Sequence, residues 1–479
     1  MTVVPGTSVM GSEKLGMKRK NILEDMKSTL RMAETILEVA ILSLLFYLVW
    51  RFWYGEDLFP PYYGRGKIVL IGVYAALIFI GFHLNDCFKF GYLKLTDVLI
   101  SQWISVFLTN FITYFQLSLI ANKMVSPVPL LALFVIDIAV TSICTYYFTV
   151  FYHRFYVPHN LLMIYGQEDS LDLKFKMDNR EDKYHVTEII SADEPFDQLC
   201  EAIKRHDAII INDIPADLRN DLIKYCYGNR IRTYTAPKVS DIIMDGAKEI
   251  TLFDTPLRLI KGHGLTIQQR IIKRTVDIIF CLLAMIPFTP IMLIIALAIK
   301  LEDHGPVFYK QKRVTRHGNV FEIYKFRSMI VDAEKNNQVI PATGHDPRIT
   351  KVGRIIRATR LDESAQILNI LKGEMSIVGP RPERVEHVRK YCDEIPEFHF
   401  REKVKAGLTG YAQVFGKYNT TAYDKLRLDL MYIEHYSLRL DIKLMLMTIR
   451  ILFTPEATEG FEVQKENADR RKELLKEKV

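Results

Sequence analysis

The chain of 479 residues has little cysteine, and none of it in a pattern that metal or disulfide chemistry uses. Cys87, Cys144, Cys200, Cys226, Cys281 and Cys392 are scattered without CxxC spacing, which excludes a disulfide framework and a zinc site. Charge of one sign is scarce as well. The 63 basic and 56 acidic residues leave only +7, too mild to nominate nucleic acid beside the long apolar runs, which favour anionic lipid and phosphate compounds as partners. A glycine-rich phosphate loop is missing. Where one would fall, Tyr165-Gly166-Gln167-Glu168-Asp169 offers a single glycine, and without several the backbone cannot approach a pyrophosphate closely. A small-residue cleavage site is also lacking after the basic N-terminal stretch, and the apolar run behind it is too long for a signal-peptide core.

What is present divides the chain. Residues 1–32 are polar and basic, a cytoplasmic N-terminal segment. Four apolar runs near 35–54, 68–84, 98–122 and 128–150 are long enough to span a bilayer and make 33–153 a four-span transmembrane region. Glu38 interrupts the first run, while Trp50, Trp53 and Tyr54 suit an interfacial belt. The Lys and Arg bias puts the N-terminus, and everything after His153-Arg154, in the cytoplasm. Asp137 stands mid-span, where Ser101, Ser105, Thr109 and Asn110 are the expected hydrogen-bond partners. Residues 154–262 alternate strand patterns (161–165, 185–190, 208–211, 231–234) with helical ones (194–205, 215–227), which predicts a small Rossmann-like α/β insert. Beyond Gly262-His263-Gly264 a further apolar run, Ile278 to Ile299, carries Pro287 and Pro290 in its middle. The tail 461–479 is charged and solvated or disordered.

The most informative stretch runs from Lys351 to Arg384. Asp362 and Glu363 open a short helix whose Leu361, Ala365, Leu368 and Leu371 fall at helical spacing, with Gly373 where a left-handed C-terminal residue belongs. Asp362 reads as its N-cap or first-turn residue. Neighbouring helical side chains diverge by about 100°, so the two acids suit different tasks, one facing a phosphorus atom and the other a cation. Arg354, Arg357, Arg360, Arg381 and Arg384 surround them in sequence. An acid before an amphipathic helix is also an ordinary cap, and the pair alone does not separate the two readings.

The surrounding wording does. Phe308-Tyr309-Lys310-Gln311-Lys312-Arg313, Tyr324-Lys325-Phe326-Arg327-Ser328-Met329, Leu361-Asp362-Glu363, Gly379-Pro380-Arg381-Pro382 and Gly407-Leu408-Thr409-Gly410 occur in one order. Together they resemble the bacterial sugar transferases, the monotopic phosphoglycosyl transferases, over about Arg270 to Phe453, and the spans and insert resemble the large-form members that initiate surface polysaccharide synthesis. The resemblance implies a membrane α+β protein: a four-helix transmembrane bundle, the Rossmann-like insert, and a monotopic, α-rich catalytic domain (265–460) with a re-entrant membrane helix at about 270–301. The family usually has Ser-Pro at the bend of that helix, and Thr289-Pro290 keeps a hydroxyl there.

It also implies chemistry. A sugar phosphate passes from a nucleotide diphosphate sugar, a UDP-sugar by family expectation, to a polyprenyl phosphate in the bacterial inner membrane. Asp362 is the nucleophile and Glu363 the magnesium ligand. Arg381 and Arg327 bind substrate phosphate, with Arg360 a weaker candidate and Lys273 and Arg274 at the headgroup level near a lipid phosphate. Pro380 and Pro382 fix the backbone on both sides of the Arg381 guanidinium. A homodimer through the spans or insert fits, and nothing selects the sugar. The rival readings are a membrane phosphatase or nucleotide-sugar hydrolase, and a non-enzymatic scaffold or regulator of a polysaccharide assembly complex.

Overall fold

The computed structural model describes residues 7–55, 65–155, 158–166, 172–178, 180, 182–331, 346–416 and 420–452. The charged tail and the loop Gln167–Asp169 lie outside them. The chain forms two units, one of residues 1–161 and 176–187, the other of 162–175 and 188–479.

The first unit contains four helices, α1 (Thr7–Val49), α2 (Arg65–Leu84), α3 (Leu95–Ala121) and α4 (Val128–Phe155). Each apolar run becomes one helix, and helix already starts at Thr7, inside the basic segment. All four are long and apolar enough to cross a membrane. Helix α1 packs on α2 and α4, and α3 on α2 and α4. Phe46 stacks on Tyr74 with centroids 4.1 Å apart, amid Leu42, Ile78, Val106 and Leu133. Glu38 does not weaken its helix. It is buried, and Gln102 Nε2 donates to both carboxylate oxygens at 3.0 and 3.1 Å, while Thr145 Oγ1 donates to Gln102 Oε1 at 2.9 Å. Of the four partners expected for Asp137, only Asn110 reaches it, at 3.3 Å; Tyr74 Oη, at 3.4 Å, is the partner that spacing on one helix could not reveal. Ser105 instead takes a hydrogen bond from Asn85 and gives one to the Ser101 carbonyl.

The insert follows the four helices in sequence. Its elements are β1 (His159–Tyr165), α5 (Asp172–Asp178), β2 (Tyr184–Ser191), α6 (Phe196–Lys204), β3 (Ala208–Asn212), α7 (Ala216–Gly228), β4 (Arg232–Thr235) and α8 (Val239–Asp245). The sheet order is β2-β1-β3-β4, with β3 and β4 parallel, as alternating strand and helix patterns predict. Ile209, Ile211, Leu162 and Ile164 meet Leu199, Ile203 and Leu222 in its core. A hairpin that sequence patterning missed, β5 (Lys248–Leu252) and β6 (Thr255–Leu259), follows.

Helix α9 (Ile267–Asp303) runs continuously through Pro287 and Pro290. It too is long and apolar enough to cross a membrane, but only 11% of its most apolar window is buried. Both ends are tied to the same protein body. Near its start Asp277 accepts from Ser376 Oγ (2.8 Å) and Ile377 N (3.0 Å). Near its end Glu302 accepts from the backbone of Lys351 and Val352, and Ile295 and Ile299 pack on Phe326, Ile356 and Ala365.

The antiparallel hairpin β7 (Phe308–Val314) and β8 (Val320–Phe326) comes next, then α10 (Lys351–Ala358), a 3₁₀ turn (Leu361–Gln366), α11 (Ile367–Lys372) and β9 (Ser376–Val378). The remainder comprises α12 (Val385–Glu394), a 3₁₀ segment (Pro396–Lys403), β10 (Gly407–Thr409), α13 (Tyr411–Phe415), α14 (Ala422–Glu434) and α15 (Leu438–Leu452). Strand β10 lies parallel to β9. Glycine is needed where these two meet: a Cβ on Gly410 would stand 2.0 Å from the Gly379 carbonyl oxygen, and one on Gly407 2.1 Å from the Gly379 nitrogen. The two glycine motifs are therefore one interlocked backbone contact.

Candidate active site

The acid pair sits in the 3₁₀ turn, not at the start of an α-helix. The residue before the turn is Arg360, held in the left-handed region at φ 54°, so Asp362 is inside the turn rather than its cap. The expected C-terminal glycine is as the spacing predicts, Gly373 at φ 88°. Hairpin strand β8 packs along the turn and brings Lys325 to it. Lys325 Nζ donates to Glu363 Oε1 at 2.7 Å, and Arg381 Nη2 reaches the same oxygen at 3.3 Å.

The two carboxylates therefore differ in environment. Burial works against the Glu363 anion, but Arg381 and Lys325 overcome it and hold the carboxyl down to about 2. Burial raises Asp362 above the ordinary aspartate value; Lys325 opposes that rise and the Glu363 charge adds to it. No neighbouring side chain among the described residues hydrogen-bonds the Asp362 carboxylate. One acid is a fixed anion clamped by cations, and the other is a desolvated carboxylate that no side chain ties down, as a nucleophile requires.

Arg381 is placed by its backbone. Four successive carbonyls of its segment are each engaged: Pro380 O by Gly407 N (2.9 Å), Arg381 O by Arg401 Nη2 (2.9 Å), Pro382 O by Arg313 Nη1 (3.1 Å) and Glu383 O by Val314 N (3.1 Å). Arg401 is buried against Asp429, to which its Nε donates at 2.9 Å. Lys425 lies 3.5 Å from Glu383, whose carboxyl burial would raise but Arg401 and Lys425 hold down. The side chain of Arg381 is 47% exposed above this support, a guanidinium free to meet a phosphate. Arg313, Arg401 and Asp429 were not singled out from sequence, and no local signal could have found them, since each works through a partner 28 to 69 residues away.

Of the remaining sequence-nominated cations, Lys273, Arg274 and Arg327 are engaged by other partners. Lys273 is buried and paired with Asp441 at 2.7 Å, because α15 packs an acid against it. Arg274 donates to the Ile370 and Leu371 carbonyls, capping the end of α11. Arg327 is buried in a two-pronged pair with Asp303 at the end of α9. Arg360 does stand beside the pair, and its charge helps lower Glu363.

Comparison with known proteins agrees with this architecture. The sequence profile of the family described as "Bacterial sugar transferase" matches residues 268–455. A UDP-glucose:undecaprenyl-phosphate glucose-1-phosphate transferase of Escherichia coli (strain K12) is 41% identical over 211 residues, 43% of this chain and 44% of that protein. One of the same description from Caulobacter vibrioides is 40% identical over 189 residues, 38% of this chain and 70% of its own. The exopolysaccharide production protein PSS of Rhizobium leguminosarum is 36% identical over 187 residues, 37% of this chain and 94% of that protein. The chain spans about half the length of the larger curated relatives it matches. With the profile, the ordered motifs and a relative matched over nearly its whole length in agreement, the chain belongs to the bacterial sugar transferase family.

Proposed function

We propose that the protein transfers a sugar 1-phosphate from a nucleotide diphosphate sugar to a polyprenyl phosphate in two displacements at one phosphorus. A carboxylate oxygen of Asp362 attacks the sugar-proximal phosphorus, the bond to the bridging oxygen breaks, and the nucleoside monophosphate leaves with that electron pair. A phosphate oxygen of the lipid then attacks the same phosphorus, the aspartyl–phosphorus bond breaks, and the carboxylate is regenerated beside a lipid diphosphate sugar. Splitting the reaction lets one small site serve a water-soluble donor and a membrane-bound acceptor. Neither step needs a general base, since both attacking oxygens are already anionic. The observation that carries the reading is the contrast within the pair: Asp362 desolvated and without a side-chain hydrogen bond among the described residues, Glu363 clamped by Lys325 and Arg381.

Arg381 and Lys325 stabilise charge on the phosphoryl oxygens, where preorganised donors act most strongly. Magnesium fits as an ion held by Glu363 together with substrate phosphate. Among the described residues no group of three His, Cys, Asp or Glu forms a metal cage, which suits a cation that arrives with its phosphates and keeps one or two carboxylate ligands. Bound there, it supplies charge neutralisation on the diphosphate.

The transferase half works at the cytoplasmic face of a bacterial inner membrane, and the four helices of the first unit cross that membrane. Helix α9 enters and leaves the bilayer on one side; the attachment of both its ends to one protein body supports this. UDP-glucose and related sugars are the first donors to assay, since relatives named for UDP-glucose, UDP-N-acetylgalactosamine and galactose all match. The test is monophosphate release from such a panel by the purified full chain. Release that depends on polyprenyl phosphate supports transfer. Equal turnover without the lipid makes the protein a hydrolase, and no release from any donor makes it a scaffold, a reading that the intact acid pair and its cations do not favour.

A further inference from the structure

Lys405 and Arg316 are half-buried cations without an ion-pair partner among the described residues. Lys405 makes no side-chain hydrogen bond there either, and the Arg316 Nε is buried without an acceptor. One hydroxyl draws their loops together. Thr315 Oγ1 donates to the Glu374 carbonyl at 3.0 Å and accepts from Ala406 N at 3.1 Å, which sets the neighbours Arg316 and Lys405 side by side. A third cation joins them over one glycine: a Cβ on Gly373 would stand 3.5 Å from Arg274 Nη2 and 3.6 Å from Lys405 Nζ. Burial and the Arg274 charge pull the Lys405 ammonium below the ordinary lysine value; Asp277 opposes them and Arg316 adds to them. Burial likewise lowers Arg316, and Arg270 lowers it further. The acids of this region are engaged elsewhere. Asp277 accepts from Ser376 Oγ and Ile377 N, and Glu374 from Asn369 Nδ2 at 2.6 Å.

The cluster adjoins the start of the apolar helix α9. Ile271, Ile278 and Leu282 share the Arg274 face of that helix by their spacing, and Ile271 and Leu282 are exposed. Cations short of acids, beside an exposed apolar strip, match the two chemistries of a phospholipid: a headgroup phosphate and an acyl chain. Arg274 keeps its Nη groups on the Ile370 and Leu371 carbonyls, so it adds charge while Arg316 and Lys405 supply the donors. Gly373 ends the run that starts at the acid pair, about 18 Å of axial rise beyond Asp362. A phosphate held over it cannot bring an oxygen to phosphorus on Asp362, so the occupant is a lipid that does not react.

We propose that Arg316 and Lys405 bind the headgroup phosphate of an anionic bilayer phospholipid, with an acyl chain along Ile271 and Leu282. The bound lipid fixes the depth at which α9 and the domain built on it sit in the membrane. The site rests on the reading that α9 lies in the bilayer and not on the chemistry assigned to Asp362.

The test uses the full chain in phosphatidylcholine nanodiscs with increasing phosphatidylglycerol. Thermal unfolding reports stabilisation by the lipid, and mass spectrometry of the detergent-released protein counts the lipid retained. The wild-type chain is expected to keep one phosphatidylglycerol in preference to phosphatidylcholine and to melt at higher temperature as that lipid rises. In Arg316→Ser/Lys405→Ser the affinity for phosphatidylglycerol should fall about 30-fold, from the loss of two cation contacts to an anionic lipid. Its melting temperature in pure phosphatidylcholine should not fall, which shows the fold to be intact. Equal retention of the two lipids by the wild-type chain, or unchanged phosphatidylglycerol affinity in the double variant, overturns the site. So does displacement of the retained lipid by inorganic phosphate, which makes it a site for free anions. The placement of α9 is tested separately by Phe280→Trp, an exposed position, in brominated phosphatidylcholine. If the added emission is not quenched, α9 lies outside the bilayer and the site falls with it; quenching beside unchanged phosphatidylglycerol affinity sinks the site alone.

Discussion

Arg401 is expected to matter as much as the residues that meet substrate, although it is buried beneath them. Replacing it with Met leaves Asp429, whose side chain is 1% exposed, without its cation. Breaking a buried pair from one side costs about 3–5 kcal/mol, and the Arg381 carbonyl loses its donor, about 1–3 kcal/mol more if no water replaces it. For a domain of this size that lowers the melting temperature by about 10–30 °C. The double variant Arg401→Met/Asp429→Leu removes both charges, so most of the stability should return. Activity should not, because the Arg381 carbonyl remains undonated and the guanidinium above it is no longer fixed. The assay is thermal unfolding in nanodiscs beside the rate of monophosphate release. A double variant that regains both stability and rate would refute the claim that Arg401 positions Arg381, and a stable, active single variant would refute the energetics as well.

Three further outcomes follow from the same geometry. Glu363→Gln should lower the rate by at least about 10³-fold while leaving the fold intact, as removal of a charged group from phosphoryl-transfer machinery does; thermal unfolding and monophosphate release measure the two. The first displacement needs ionised Asp362, whose carboxyl lies above 3.8 because of burial, whereas Glu363, at about 2, stays ionised. The pre-steady-state rate should therefore fall with falling pH through one ionisation above the usual aspartate value, and Lys325→Met, which removes an opposing cation, should move that limb to higher pH. Gly410→Ala should destabilise the domain by about 2–3 kcal/mol in chemical denaturation, since the new methyl would meet the Gly379 carbonyl at 2.0 Å.

The parts of this fold that were legible in the sequence are those set by local pattern. Apolar runs gave the four helices of the first unit, and short apolar or β-branched runs alternating with helical patterns gave β1 to β4 within one or two residues. The acid-bearing segment shows where local pattern fails. Leu361, Ala365, Leu368 and Leu371 predict one α-helix with these residues inward, but the chain starts with six 3₁₀ residues at three per turn. Each advances about 120° rather than 100°, so the phase has slipped by about 120° when α11 begins. Ile367 and Ile370 become the buried face, and Leu368 and Leu371 are released to line an open groove against the β7–β8 hairpin. Nor could Arg327 be told from Arg381 by residue type. Asp303 claims the first through the folded end of α9, and among the described residues no acid but Glu363 hydrogen-bonds the second.

The most direct measurement is peptide mapping of the full chain after brief exposure to labelled nucleotide sugar without lipid. The account requires one phosphosugar per chain on the peptide that contains Asp362, discharged when polyprenyl phosphate is added and absent from Asp362→Asn. Label on another residue, or undiminished turnover in Asp362→Asn, would contradict it.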